Sequence, residues 1–223
     1  YFWRLGHMDG PHDASLALGI SRDGKTAVGS TVVVDFCRAW RCDIDWAIAT
    51  DDGVPPLYNE LQVQEDIGVI APSRPSSAFA ASDMAYVPTG YDLPNLNLDW
   101  GGSVVGGTSQ LGRVCYGVQW LLPVLDSIEE GDYATIPDFG GGDSDMQAKA
   151  LTPDGLIMVG YGCNRRGPLA FRADMTEPLL PVVKPLTITD STYTEQTLKW
   201  TVAEAVSADG MIIAGYGGTQ KGP

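Results

Sequence analysis

One short phrase recurs along this chain and constrains its fold more than anything else in it. Ala14–Ser30 reads ASLALGISRDGKTAVGS, Met146–Gly162 reads MQAKALTPDGLIMVGYG, and Thr201–Gly217 reads TVAEAVSADGMIIAGYG. A fourth copy is interrupted: SSAFAASDM at Ser76–Met84 begins it and GGSVVGGTS at Gly101–Ser109 resumes it. Small and apolar residues alternate, a Ser or Thr precedes Asp-Gly by two places in the whole copies, and an apolar run then ends in Gly. Alternation with a period of two is the pattern of a half-buried strand. Asp-Gly between two apolar runs signals a hairpin, because Gly accepts a positive φ and Asp bonds its own turn. Asp23-Gly24, Asp154-Gly155 and Asp209-Gly210 are therefore read as exposed turns. A metal loop is the weaker reading, since each turn offers a single carboxylate.

A third strand follows each hairpin. AWRC (Ala39–Cys42), GVQW (Gly117–Trp120) and AFRA (Ala170–Ala173) each begin ten positions after the anchoring glycines Gly29, Gly107 and Gly160. Ten positions after Gly215 falls beyond Pro223, and lands on Phe2 if the two ends are joined. Joined, the ends read KGPYFWRLG, which overlays RGPLAFRAD (Arg166–Asp174) with Pro223 on Pro168 and Arg4 on Arg172. The repeat thus predicts that the strand Tyr1, Phe2, Trp3, Arg4, Leu5 completes the last unit, in the same chain or in a neighbouring one.

A unit of about 50 residues with about four strands is the size of a propeller blade. The expected fold is all-β: a β-propeller of about four blades, each a four-stranded antiparallel sheet, forming one domain over residues 1–223. Loop inserts are expected at about 43–75 and 83–101, the second ordered but not helical. Ala17, Ile20, Val28, Ala148, Leu151, Val159, Ala203, Val206 and Ala214 fall on the predicted inward face. A parallel solenoid fits less well, because units of this length with hairpins exceed a single coil.

The grammar A-x-A-x-S-x-D-G-x-x-x-x-G, followed about ten residues later by text such as AFRA, resembles the HAF repeat of bacterial secreted and surface proteins. IPDFGGG (Ile136–Gly142) is similar to that family's glycine-rich segment. The resemblance spans all four units, with one departure: no His precedes the Ala-Phe pair. It implies an extracellular or cell-surface repeat of propeller kind, and it brings no defined chemistry.

Charge narrows the partners. With 14 Lys plus Arg against 28 Asp plus Glu, the net charge of −14 repels phosphate backbones, so nucleic acid is not an expected partner. No apolar run approaches the ~20 residues of a membrane-spanning helix, so no membrane insertion is expected. With no initiator Met and no signal peptide in view, the chain reads as a processed product or an excerpt. Cys37, Cys42, Cys115 and Cys163 match no zinc spacing. In a secreted protein at least one disulfide is expected among them. Cys37 and Cys42 are not that pair, because five residues of extended strand separate them by ~16 Å.

Candidate sites are few. His7 and His12, with Asp9 and Asp13, lie in a variable loop of the repeat alignment, and a serine or cysteine triad has no other histidine to use. DFGGGDSDM offers Asp138, Asp143 and Asp145 as oxygen ligands for Ca²⁺ in a glycine-rich loop, although no Glu follows at EF-hand spacing. Otherwise no cofactor is expected. The inserts carry Trp46, Tyr58, Tyr86, Tyr91 and Trp100, aromatic anchors suited to a glycan or a protein partner. The leading functional expectation is a non-enzymatic extracellular binding or assembly module, self-associating by strand complementation. The alternative is a carbohydrate-active enzyme or lectin, because abundant carboxylates leave a glycosidase pair open.

Overall fold

The computed structural model describes residues 14–33, 36–43, 65–66, 76–82, 104–111, 114–121, 132–137, 145–164, 167–176, 181–186 and 200–218. Among these residues the chain is all-β, with four antiparallel sheets and no helix, so none is long and apolar enough to cross a membrane. The first sheet runs in the order β1 (Ala14–Ile20), β2 (Thr26–Val33), β3 (Phe36–Asp43) and β4 (Glu65–Asp66). The second follows with β5 (Ser76–Ala81), β6 (Val104–Leu111), β7 (Val114–Leu121) and β8 (Asp132–Thr135). The third holds β9 (Met146–Leu151), β10 (Ile157–Asn164), β11 (Gly167–Asp174) and β12 (Val182–Pro185). The fourth has two strands, β13 (Trp200–Val206) and β14 (Ile213–Gly218).

Each sheet is a meander that begins with one repeat hairpin. The three Asp-Gly turns are built alike. The Ser21 amide donates to the Thr26 carbonyl, Gly24 N–H donates to the Ser21 carbonyl, and the Ser21 hydroxyl donates to Asp23 Oδ1 at 2.6 Å. Asp23 Oδ1 also accepts the Lys25 amide at 3.0 Å. Thr152 and Asp154 make the same set, as do Ser207 and Asp209. Gly24, Gly155 and Gly210 all have φ near +70° (74°, 73° and 69°), which explains the glycine after each Asp. The Ser/Thr-x-Asp-Gly phrase is thus a four-residue hairpin loop rather than the tightest two-residue kind. The carboxylates are exposed as expected, whereas Gly155 and Gly210 are buried.

The anchoring glycines have a second reason. Each first hairpin carries a β-bulge, which leaves Leu18, Phe79, Lys149 and Glu204 as the extra residues. The opposite strand must then approach closely. A Cβ on Gly29, Gly160 or Gly215 would lie within about 2 Å of the carbonyl oxygen of Leu16, Gln147 or Val202.

The sheets follow one another in space as they do in sequence. β5 lies beside β1–β3, β9 beside β5–β7, and β13 beside β9–β11. No contact of comparable extent joins the fourth sheet to the first among the described residues. Side chains alternate across the third sheet. Met158, Ala148, Phe171 and Ala173 pack with Ile136 from the second sheet, and Val159 and Ala170 pack with Ala203 from the fourth. Two hydroxyls latch successive sheets: Ala39 N–H donates to Ser76 Oγ at 2.9 Å, and Ala170 N–H donates to Thr201 Oγ1 at 2.8 Å. In the repeat register Met146 takes that place in the third sheet, where it is buried.

The predicted core divides by position in this series. Val28, Ala148, Val159 and Ala203 are buried, and Leu151 and Val206 are half-buried. Ala17, Ile20 and Ala214 are exposed, which corrects the sequence expectation. They lie on β1 and β14, which have no adjoining sheet on their outer side among the described residues. The short strands β4, β8 and β12 were not located by sequence, and β4 interrupts the first insert. Among the described side chains the expected disulfide finds no pair: Cys42 is buried, Cys37 and Cys163 are half-buried, and no disulfide joins these three, while the Cys115 side chain lies outside the described ones.

Candidate functional site: a cavity shared by four sheets

First-strand or turn positions of all four sheets meet around one cavity of about 540 Å³. The first sheet contributes Ile20 and Arg22, the second Phe79, the third Lys149 and Leu151, and the fourth Val206. A bulge re-aims the side chain of its extra residue. Here it turns Phe79 and Lys149 to the cavity from equivalent places in neighbouring sheets. The Lys149 ammonium stands 4.7 Å from the centroid of the Phe79 ring and 5.9 Å from that of Tyr161. The ring faces carry partial negative charge, so this arrangement holds the cation in place.

Among the described residues, no carboxylate lines the cavity. Those of the adjoining turns are occupied locally: Asp23, Asp154 and Asp209 each accept a hydroxyl and a backbone N–H of their own loop. The Ser207 hydroxyl, followed by the Met211 amide, holds the Asp209 carboxyl below its ordinary range. On the third sheet the Thr176 hydroxyl and amide do the same to Asp174. Burial raises the Cys163 thiol, with a smaller push from the Asp145 charge, so this thiol is poorly suited to act as a nucleophile.

The residues singled out by sequence are not brought together here. Trp46, Tyr58, Tyr86, Tyr91, Trp100, Asp138, Asp143 and the strand Tyr1–Leu5 lie outside the described residues. Asp145 is described and exposed, and its carbonyl accepts the Cys163 amide at 3.1 Å. Among the described residues no group of three or more His, Cys, Asp or Glu is placed to hold a metal ion. Sequence reasoning passed over Phe79, Lys149 and Arg22. The available signal was the middle residue of A-x-A, which changes from Leu18 to Phe79 to Lys149 to Glu204 while its neighbours stay small.

Comparison with known proteins adds little. No family model and no curated protein matches the chain. Among solved structures, TolB from Acinetobacter baumannii aligns at 18% identity with a TM-score of 0.48, over 91% of this chain and 37% of that one. The chain therefore spans just over a third of the length of that structure.

Proposed function

We propose that this chain is a non-enzymatic, extracellular or cell-surface repeat module for binding and assembly. In this reading the four sheets are blades of a propeller, and the strand Tyr1–Leu5 completes the fourth blade. The observation that carries it is the fourth sheet itself: two strands are described there, against four in each of the others, and no described strand pairs with the outer edge of β14. A strand at the edge of a sheet is a template for an added strand. The register of KGPYFWRLG on RGPLAFRAD names the strand that fits. The latches support the same pairing. Phe2 corresponds to Ala39 and Ala170, and Ser15 corresponds to Ser76 and Thr201, so the Phe2 amide is expected on the Ser15 hydroxyl. That hydroxyl belongs to the same chain if the ring closes and to a second copy if chains join head to tail. Leu16, 60% exposed on β1, is apolar surface that either arrangement would cover. The extracellular setting rests on the resemblance to HAF repeats.

Deletion of Tyr1–Leu5 tests the reading. Loss of one buried aromatic is expected to cost about 3–5 kcal/mol. A truncated chain with unchanged melting temperature and unchanged association state overturns the complementation. In the intact chain, a melting temperature that rises with protein concentration assigns the strand to a neighbour, and a concentration-independent one assigns it to the same chain.

A further inference from the structure

We propose that the shared cavity is a binding site for a small organic acid with an aromatic or branched apolar body. This goes beyond the assembly reading. The cavity is lined by the four first strands and their turns, and it needs no particular completion of the ends.

Three observations carry the assignment. First, its volume of about 540 Å³ lies within the ~300–1,000 Å³ range of small-molecule sites, which are mostly apolar with a few placed polar groups. Ile20, Phe79, Leu151 and Val206 supply the apolar wall. Second, both charged side chains among the described lining residues, Arg22 and Lys149, are cations, in a chain whose net charge is −14. The surrounding field disfavours anions in general, so a local pair of cations with no carboxylate among the described lining residues is a selective feature. Third, Lys149 is placed by the bulge and by the Phe79 ring 4.7 Å away, so its charge stands beside an aromatic surface before any ligand arrives. A carboxylate on Lys149 with its apolar body along Phe79 and Leu151 satisfies both kinds of lining at once. The scaffold positions around the site are small and repeated, whereas the residues reaching into it differ between sheets. That division suits recognition of one asymmetric ligand better than of a symmetric one.

The test uses 4-phenylbutyrate and its neutral counterpart 4-phenylbutyramide, titrated into the whole chain by calorimetry. The acid should bind about tenfold or more tightly than the amide, a difference of about 1.4 kcal/mol. Lys149→Met and Arg22→Gln should each weaken the acid about five- to tenfold and leave the amide unchanged, while Lys149→Arg retains binding. Lys184→Met removes an exposed cation on β12, outside the cavity lining, and should change nothing. Equal binding of acid and amide, no heat from either up to about 10 mM, or equal weakening by Lys184→Met and Lys149→Met each overturns the proposal. The acid-to-amide ratio on the unmutated chain keeps the test decisive if a variant fails to fold.

Discussion

The third and fourth sheets are written in nearly the same words and end in opposite environments. MQAKALTPDGLIMVGYG and TVAEAVSADGMIIAGYG share their bulge, their turn and their close-approach glycine. Yet Met158 and Val159 are fully buried, while Ala214 is exposed and Ile213 half-buried at the equivalent places. Ile212 is 69% exposed and Met211 80%. The difference is one of neighbours. The third sheet has the second on one face and the fourth on the other. The fourth sheet buries Thr201 and Ala203 against the third and leaves β14 largely exposed. A repeat specifies the strand and its apolar face, whereas the next repeat decides whether that face is buried.

The sharpest way to break this comparison is to place the same charge at the same repeat position in both sheets. Val159→Asp puts an unpaired carboxylate where nothing is exposed and is expected to cost at least about 3 kcal/mol. Ala214→Asp falls on surface that is exposed among the described residues, so its cost is expected within about 0.5 kcal/mol where no further sheet covers β14, and close to that of Val159→Asp where the proposed complementation covers it. Urea unfolding of the two variants reads the contrast directly. Near-equal losses would mean that the outer side of β14 is covered in solution, as strand complementation requires. A harmless Val159→Asp would mean that the repeat register is wrong.

A smaller effect is expected at the latch between these sheets. Thr201 is buried and its hydroxyl accepts the Ala170 amide at 2.8 Å. Thr201→Val keeps the shape and leaves that N–H buried without its partner, at a cost of about 1–3 kcal/mol. Hydrogen exchange should then show the amides of β13 and β14 opening more often, with those of β9 and β10 little changed. Equal loosening of both sheets would mean that the fourth is not a separable, weaker unit.

Much of this was legible because the signals were local. Period-two alternation and Ser/Thr-x-Asp-Gly located the first three strands of the units, since a turn and a half-buried face are specified by neighbouring residues. The fourth strands were hidden for the opposite reason. ED, DYAT and VVKP are too short for a pattern, and β4, β8 and β12 are held by pairing to a preceding strand. Burial failed at Ala17, Ile20 and Ala214 because it depends on a packed sheet that sequence cannot count. The cavity was missed because Phe79 and Lys149 occupy the variable place of A-x-A, where a departure from the repeat reads as noise until the bulge shows where it points.

The smallest effect concerns the exposed turn of the fourth sheet. The Ser207 hydroxyl and the Met211 amide both donate to Asp209 Oδ1 and favour its ionised form, so its carboxyl titrates below the ordinary value of about 3.9. A carboxyl whose folded pKa is lowered stabilises the fold above the unfolded pKa. That contribution is lost as pH falls from about 4 through the folded midpoint. Because Asp209 is fully solvent-exposed, the consequence for stability is expected to be slight, and the titration itself is the better readout. The side-chain carboxyl ¹³C shift of Asp209 should have its midpoint below that of an unstructured Asp. Ser207→Ala, which removes the first donor, should move the midpoint upward while Asp174, held by Thr176, stays where it was. An unmoved Asp209 midpoint would mean that the hydroxyl bond is not populated in solution. The fourth turn would then differ from the third, where Thr152 is buried and its hydroxyl meets Asp154 within the packed part of the sheet.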